Sequence, residues 1–236
     1  MKLVRPTQVV PGVYQLHVFG VRVTALFGKE GIVLVDAGWR CGLRWIAAGL
    51  RALDASLYDV RLIVLTHHHP DHAGGLAKLA EATSSKVAVH RREASIINGE
   101  EPYPNPYPNR LLAGVTRPFL PLFYGDPVRV DYSLEDGAAL PVPEEVRVIH
   151  TPGHTPGAIC LYAVSKKVII VGDALQYRSG RLELPASSVT QDPGKARESL
   201  KKLISVDFDV ISFSHFPPLR RDAREALARL IQRTSR

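Results

Sequence analysis

The chain contains the segment Thr66-His67-His68-His69-Pro70-Asp71-His72. It follows the apolar run 60–65, which is typical of a buried β-strand. Alternate side chains of an extended segment point to one side, so we expect His67 and His69 to converge and His68 to face away. Pro70 favours an extended conformation at the residue before it. The chain then turns, which brings Asp71 and His72 to the start of the next helix. Imidazole and carboxylate groups gathered in this way predict a metal site.

Other polar residues also stand at the ends of apolar runs. His154 lies between two Pro-Gly pairs, in Thr151-Pro152-Gly153-His154-Thr155-Pro156-Gly157, which predicts a rigid loop with tight turns. Asp173 follows the strand-like run 167–171, where a carboxylate is unfavourable unless a cation receives it. His215 follows a predicted strand over 206–213, and Asp36 ends another strand-like run, 31–36. One end of the predicted sheets therefore carries these polar groups.

The order of these motifs resembles that of the metallo-β-lactamase-fold hydrolases, from Asp36 to His215. The loop Thr-Pro-Gly-His-Thr-Pro-Gly and the segment Gly-Asp-Ala-Leu are most similar to the glyoxalase II-like and lactonase-like branch. The resemblance implies an α/β (α+β) fold, a four-layer αββα sandwich of two mixed β-sheets flanked by helices. Strands outnumber helices along the sequence, and helices follow each set of strands, which agrees with this architecture.

The resemblance also implies a site for two metal ions. The ligands of the first ion would be His67, His69 and His154. The ligands of the second ion would be Asp71, His72 and His215. Asp173 would bridge the two ions, and Asp36 would support the ligands without binding a metal. We therefore expect a His69→Ala substitution to remove the metal and a His68→Ala substitution to leave it in place.

Zinc is the expected metal, with two ions per chain, because imidazole and carboxylate ligands suit it; iron or manganese would fit the same ligands. The resemblance implies that a hydroxide bound by both metals attacks the carbonyl carbon of an ester, thioester or lactone. Asp71 is a candidate for orienting this hydroxide or carrying its proton. Tyr177, four residues after Asp173, is either a hydrogen-bond donor to the substrate oxyanion or an ordinary half-buried tyrosine.

Other functions stay open at this point. A persulfide dioxygenase of the same fold would use one iron, held by His67, His69 and His154. A nuclease is suggested by the net charge of +7, but the RNA-processing members of the fold carry extra segments for which 236 residues leave little room. We therefore expect a small-molecule substrate, for which the positive charge allows an anion, and no nucleic acid. A binding protein without turnover is a further alternative, which the complete ligand set disfavours.

The chain reads as a single domain over 1–236, with a Pro/Tyr-rich insertion at about 99–127. This insertion is either an inert surface loop or a pocket wall, and its aromatic residues either line a cleft or anchor the segment. They are Tyr103, Tyr107, Phe119 and Phe123. No signal peptide or apolar run of membrane-spanning length is evident, so we expect a cytoplasmic protein without a membrane partner. We expect Cys41 and Cys160 to be buried thiols, and a single disulfide between them is the alternative. The oligomeric state is open too.

Overall fold

The computed structural model describes residues 5–234. In this part of the chain the strands are β1 (Thr7–Val10), β2 (Val13–Val18), β3 (Val21–Phe27), β4 (Ile32–Val35), β5 (Val60–Val64), β6 (Lys86–His90), β7 (Tyr132–Leu134), β8 (Val146–His150), β9 (Ile159–Ala163), β10 (Val168–Ile170), β11 (Gln176–Arg178), β12 (Arg181–Glu183) and β13 (Val210–Ser212). The α-helices are α1 (Leu43–Arg51), α2 (Pro70–Ala73), α3 (Leu76–Thr83), α4 (Arg91–Asn98), α5 (Arg110–Thr116), α6 (Leu120–Phe123), α7 (Pro193–Ile204) and α8 (Ala223–Thr234).

Most of these strands form two mixed sheets. The first sheet has the order β1-β2-β3-β4-β5-β6-β7. Its pairs are antiparallel as far as β4 and parallel from β4 to β7. The second sheet has the order β13-β10-β9-β8, in which β10 and β13 are parallel and the other pairs are antiparallel. Strands β11 and β12 form a separate hairpin. The prediction of two mixed sheets is confirmed.

Three layers of buried apolar side chains hold the sandwich together. Alternation along each strand sends Leu62 and Val64 of β5 into the layer between the sheets, where they meet Leu161 of β9. The intervening Ile63 faces the opposite way, into a layer that α1, α3 and α4 cover. A third layer lies between the second sheet and helices α7 and α8, around Phe213. The result is the αββα order that the resemblance implies.

Several predicted elements differ from the structure. The helix that the sequence predicts after the histidine-rich segment, over 73–82, is divided into α2 and α3, because Gly74 and Gly75 lie between them in close contact with neighbouring backbone. The strand predicted over 206–213 is regular only over β13. Strands β1, β7, β11 and β12 were not predicted, since three or four residues carry no readable periodicity.

The insertion is partly helical. Residues 101–109 are irregular, as their prolines predict, but α5 and α6 follow them. The two cysteines are both free, so the open question of a disulfide is settled. Cys160 is buried as expected, and burial raises the pKa of its thiol to about 12. The expectation of a buried thiol is wrong for Cys41, which is exposed in the loop before α1. Among the described residues no helix has the length and apolarity that a membrane span requires.

Candidate metal centre

Loops at one end of the two sheets bring all seven candidate ligands together. The loop after β5 supplies four of them, and loops after β8, β10 and β13 supply the others. The ligand atoms form three overlapping groups, and within each group all atoms lie within 4.8 Å of one another. The groups are His67 with His69 and His154, His67 with His72 and Asp173, and Asp71 with His72 and His215.

The first group consists of buried imidazoles. The ring centroids of His67, His69 and His154 lie 4.6 to 4.7 Å apart. Each of their Nε2 atoms is buried and has no hydrogen-bond partner among the described residues. Burial lowers the pKa of all three side chains, so the rings are neutral and offer a lone pair. Three unpaired buried nitrogens facing one point are costly unless a cation receives them, and they fit a metal ion.

Hydrogen bonds fix which ring nitrogen carries the proton. The Nδ1 of His67 lies 3.0 Å from the Thr66 hydroxyl, which itself donates to Asp36 at 2.9 Å. The Nδ1 of His154 lies 3.2 Å from the Thr190 hydroxyl, which donates to a backbone carbonyl. Since both hydroxyls use their hydrogen elsewhere, the Nδ1 atoms must be the donors. The lone pairs then reside on Nε2, at the proposed metal position.

The group of Asp71, His72 and His215, which we call the second group, is richer in negative charge and more open. His215 Nε2 lies 3.3 Å from the Asp71 carboxylate and 3.2 Å from Asp173. Burial lowers the pKa of His215, but the two carboxylates outweigh it and raise the pKa to about 9. The Asp71 side chain is 19% exposed and that of His215 is 28% exposed. Carboxylates gathered in a partly buried place suit a cation, and without one the protons of the histidines balance their charge.

Asp173 forms the remaining group with His67 and His72, and it lies between the first and second groups. Its carboxylate oxygens lie 3.5 Å from His72 Nε2 in the second group and 3.6 Å from His154 Nε2 in the first. Its Oδ1 is buried and also lies 3.2 Å from His215 Nε2. This is the place that a bridging ligand would occupy.

Asp36 supports the ligands from behind. It accepts hydrogen bonds from the backbone and hydroxyl of Thr66, at 2.8 and 2.9 Å, and from His72 Nδ1 at 2.8 Å. Its backbone φ of 70° is left-handed. Such a conformation costs about 1 to 3 kcal/mol and persists where the surroundings impose it. Asp36 therefore orients His72 so that its Nε2 faces Asp71 and Asp173.

Glu93 on α4 is a functional candidate that the sequence analysis missed. Its carboxylate is 2% exposed and accepts hydrogen bonds from the His68 backbone at 3.0 Å, the Thr155 hydroxyl at 2.7 Å and the Gly157 backbone at 2.8 Å. It also contacts His68 Nδ1. Burial alone would raise its pKa, but these partners outweigh burial and lower it. Glu93 thus ties the loop of His67 and His69 to the loop of His154.

This arrangement changes the expectation for His68. The side chain points away from the candidate ligands, as predicted, and pairs with Glu93. A His68→Ala substitution would leave the Glu93 carboxylate buried without its partner, which is strongly destabilising. We therefore expect this variant to be less stable than the wild type, while its retention of the metal stays a prediction. The available signal for Glu93 was its spacing from Ile96 and Ile97, which places an acid on the buried face of an amphipathic helix.

Tyr177 does not join the candidate ligands. Its ring packs against Phe213 in the outer core layer, with centroids 6.1 Å apart. Its role as an oxyanion donor stays a prediction. Aromatic residues of the insertion make two ring contacts. The ring centroid of Phe123 lies 6.2 Å from that of Trp39 in the loop after β4, and the ring of Tyr103 stacks on that of Tyr124.

Comparison with known proteins identifies the family. The sequence model of the metallo-beta-lactamase superfamily matches residues 18–215, a span that contains all seven candidate ligands. The chain belongs to this superfamily. It is thus a member of a superfamily of metallo-hydrolases, and its cluster of His and Asp is where a divalent metal would bind.

Similar proteins support this assignment over most of the chain. The probable metallo-hydrolase YflN of Bacillus subtilis is 28% identical, with 87% of this chain and 83% of that protein covered. An acyl-coenzyme A thioesterase of Gallus gallus is 34% identical over 69% of this chain and 60% of its own length. A hydroxyacylglutathione hydrolase of Cereibacter sphaeroides is 31% identical over 75% of this chain and 56% of its own length. A metallo-beta-lactamase family protein from Thermus thermophilus shares the fold with a TM-score of 0.72 and 27% identity, covering 97% of this chain and 81% of that structure.

Proposed function

We propose that this protein hydrolyses an acyl thioester at a centre for two divalent metal ions. The observation that carries the proposal is the pair of ligand groups on either side of Asp173, in which the buried Nε2 atoms of four histidines have no hydrogen-bond partner among the described residues. These histidines are His67, His69, His72 and His154. The names of two relatives, a thioesterase and a hydroxyacylglutathione hydrolase, favour thioesters over other acyl compounds.

The donor set fits this purpose. Imidazole and carboxylate ligands in two groups suit zinc, and they also accommodate iron or manganese. Two such metals, when bound, lower the pKa of a water molecule and polarise a carbonyl oxygen. Because water is the nucleophile, the proposed reaction needs no nucleophilic serine or cysteine next to a general base. The seven candidate ligands supply the groups that the proposed centre requires.

The protein's own side chains then have separate tasks. The three neutral imidazoles of the first group and the Asp173 carboxylate hold the buried side of the centre. We assign to Asp71, which is partly exposed, the task of accepting a proton from the attacking water and returning it to the leaving thiolate. Thr66, Thr190 and Asp36 hold the rings in the tautomer that leaves Nε2 free.

A substrate panel tests the proposal. We expect the purified protein to hydrolyse acyl thioesters of glutathione and coenzyme A faster than matched aryl esters or lactones. Asp71→Asn should lower kcat at least about 100-fold, since proton transfer by a positioned side chain contributes about that factor. Asp54→Asn, which changes an exposed acid in the loop after α1 that is not among the candidate ligands, should keep the wild-type rate.

Two results would overturn the proposal. Oxygen consumption with a persulfide substrate, together with a single iron per chain, would identify a dioxygenase. Salt-dependent cleavage of a tRNA precursor without thioester hydrolysis would identify a nuclease.

A further inference from the structure

A cavity of about 650 Å³ is lined by segments that contact the loops of the second ligand group. Its apolar walls are Phe19, Trp39, Leu122 and Phe123, and Arg40 and Lys78 also line it. This volume is within the usual range for small-molecule sites, which are mostly apolar with a few polar groups. The walls come from three separate segments: the β2–β3 turn, the loop after β4, and the insertion.

One wall is fixed to the segment that carries His215. The β2–β3 turn contains Phe19, and Arg22 follows it on β3. The Arg22 backbone donates to the Ser214 carbonyl at 2.7 Å, and its guanidinium donates to the carbonyl of His215 itself. The Trp39 indole donates to the Phe19 carbonyl at 3.1 Å, which joins the first and second walls.

The opposite wall is fixed to the segment that carries Asp71 and His72. Gly74 directly follows α2, and a Cβ placed on it would lie 2.5 Å from the Phe123 carbonyl and 3.0 Å from the Arg40 backbone nitrogen. The loop after β4 also donates from the Ala37 backbone to the His72 carbonyl at 2.7 Å. The cavity is therefore lined by segments whose backbone contacts the segments that carry the second ligand group.

The apolar side chains of this cavity are left open to solvent. Phe19 is 54% exposed, Leu122 is 67% exposed and Phe123 is 47% exposed. Arg40 donates to the Pro121 carbonyl at 2.9 Å, so the wall from the insertion is held in place. Exposed apolar side chains gathered in one concave, anchored place are typical of a ligand site.

We infer that this cavity binds the apolar acyl chain of the substrate, and that the insertion thereby selects medium-length or longer acyl groups. The inference rests on the proposed thioester hydrolysis, because a carbonyl at the second ligand group would direct one of its two substituents into the cavity. An acyl chain matches the aromatic and aliphatic walls. Each buried methylene contributes about 0.8 kcal/mol, which is about a fourfold gain in kcat/KM per added carbon.

A chain-length series tests the inference. Acetyl, butyryl, hexanoyl and octanoyl thioesters of one carrier should show kcat/KM rising by about fourfold per methylene until the cavity is filled. Leu122→Ser should lower the octanoyl-to-acetyl ratio of kcat/KM at least about fivefold, since it removes part of the apolar wall. Leu111→Ser is the matched control, because Leu111 is 83% exposed in the same insertion and does not line the cavity.

A second measurement does not depend on turnover. Octanoate should quench the fluorescence of Trp39 in the wall, with an affinity that Leu122→Ser weakens and Leu111→Ser does not change. Weakened binding of this kind supports the acyl site even if no thioester is hydrolysed, in which case only the proposed function fails. Hydrolysis with no dependence on chain length would overturn the inference and leave the proposed function standing. A different result would also overturn the inference. If Leu122→Ser kept the wild-type dependence on chain length but dissociated an oligomer in analytical ultracentrifugation, the cavity would be an interface between copies of the chain.

Discussion

Glu93 shows how a residue that binds no metal can determine whether the ligands are in place. One carboxylate oxygen accepts from Thr155 and Gly157, and the other accepts from His68. In a Glu93→Gln variant, one of these oxygens becomes an NH2 group, which would face donors and leave them unpaired. We expect metal affinity to fall by about 10- to 100-fold, the usual effect of losing a residue that orients ligands. Competition with a chelator measures this change.

The control for this prediction is Glu100→Gln, just after α4. Glu100 is exposed and accepts a hydrogen bond from Asn98, so its variant should bind metal like the wild type. Wild-type metal affinity in Glu93→Gln would mean that the two ligand loops hold their positions without the bridge.

The contrast between the ligands and Glu93 shows what single residues reveal in a sequence. His67, His69, Asp71 and His72 lie within six residues, so the end of one strand and the turn into the next helix predict that they converge. The partners of Glu93 lie 25 and 62 residues away along the chain. No local pattern predicts such contacts, because they depend on how α4 packs against two loops.

At the scale of elements, the contact between α2 and the insertion depends on a glycine. A Cβ at Gly74 would lie 2.3 Å from the Pro70 carbonyl and 2.5 Å from that of Phe123, so α2 or the insertion must move in Gly74→Ala. We expect the free energy of unfolding to fall by about 1 to 3 kcal/mol, as for other overpacked sites. Urea denaturation measures this.

Gly114 provides the matched substitution. It lies within α5 and a Cβ there would have no neighbour within 4 Å. Gly114→Ala should raise the free energy of unfolding by about 0.5 to 1 kcal/mol, because alanine favours the helix. Equal effects of the two substitutions would contradict the packing described for the insertion.

A histidine pair joins β6 of one sheet to β8 of the other. The rings of His90 and His150 stack with centroids 3.9 Å apart. Burial, and then His150, lowers the pKa of His90 to about 4 from 6.5. Between about pH 4 and pH 6.5, His90 therefore binds fewer protons in the folded protein than in the unfolded chain. The stability that the neutral ring contributes is present above pH 6.5 and is lost as the pH falls towards 4.

A His90→Asn substitution tests this pair. The Nδ1 of His90 accepts from the Arg92 backbone at the start of α4, and asparagine preserves this type of N-cap. When the pH is lowered from about 7 to about 5, the free energy of unfolding should decrease less in the variant than in the wild type. Urea denaturation at the two pH values measures this. An identical loss in both proteins would show that the stacked rings do not contribute to acid sensitivity.

At the scale of the whole molecule, the order of motifs was more informative than the individual elements. The αββα sandwich and the grouping of ligands at one end were predictable, because each ligand follows a buried strand and the resemblance supplies the topology. The helical part of the insertion and the exposure of Cys41 were not predictable. Both depend on the path of the 37–42 loop, which contains Cys41, contacts the insertion and is held by α2 and the β2–β3 turn.

The two-metal centre is the central claim, and a count of metals tests it most directly. Elemental analysis of the protein, purified without chelators, should find two divalent transition-metal ions per chain, since Asp173 lies beside histidines of both ligand groups. His69→Ala should reduce this number, while His17→Ala, which changes a histidine bonded to Thr7, should not. A single iron per chain in the wild-type protein, or a metal content unchanged by His69→Ala, would contradict this account.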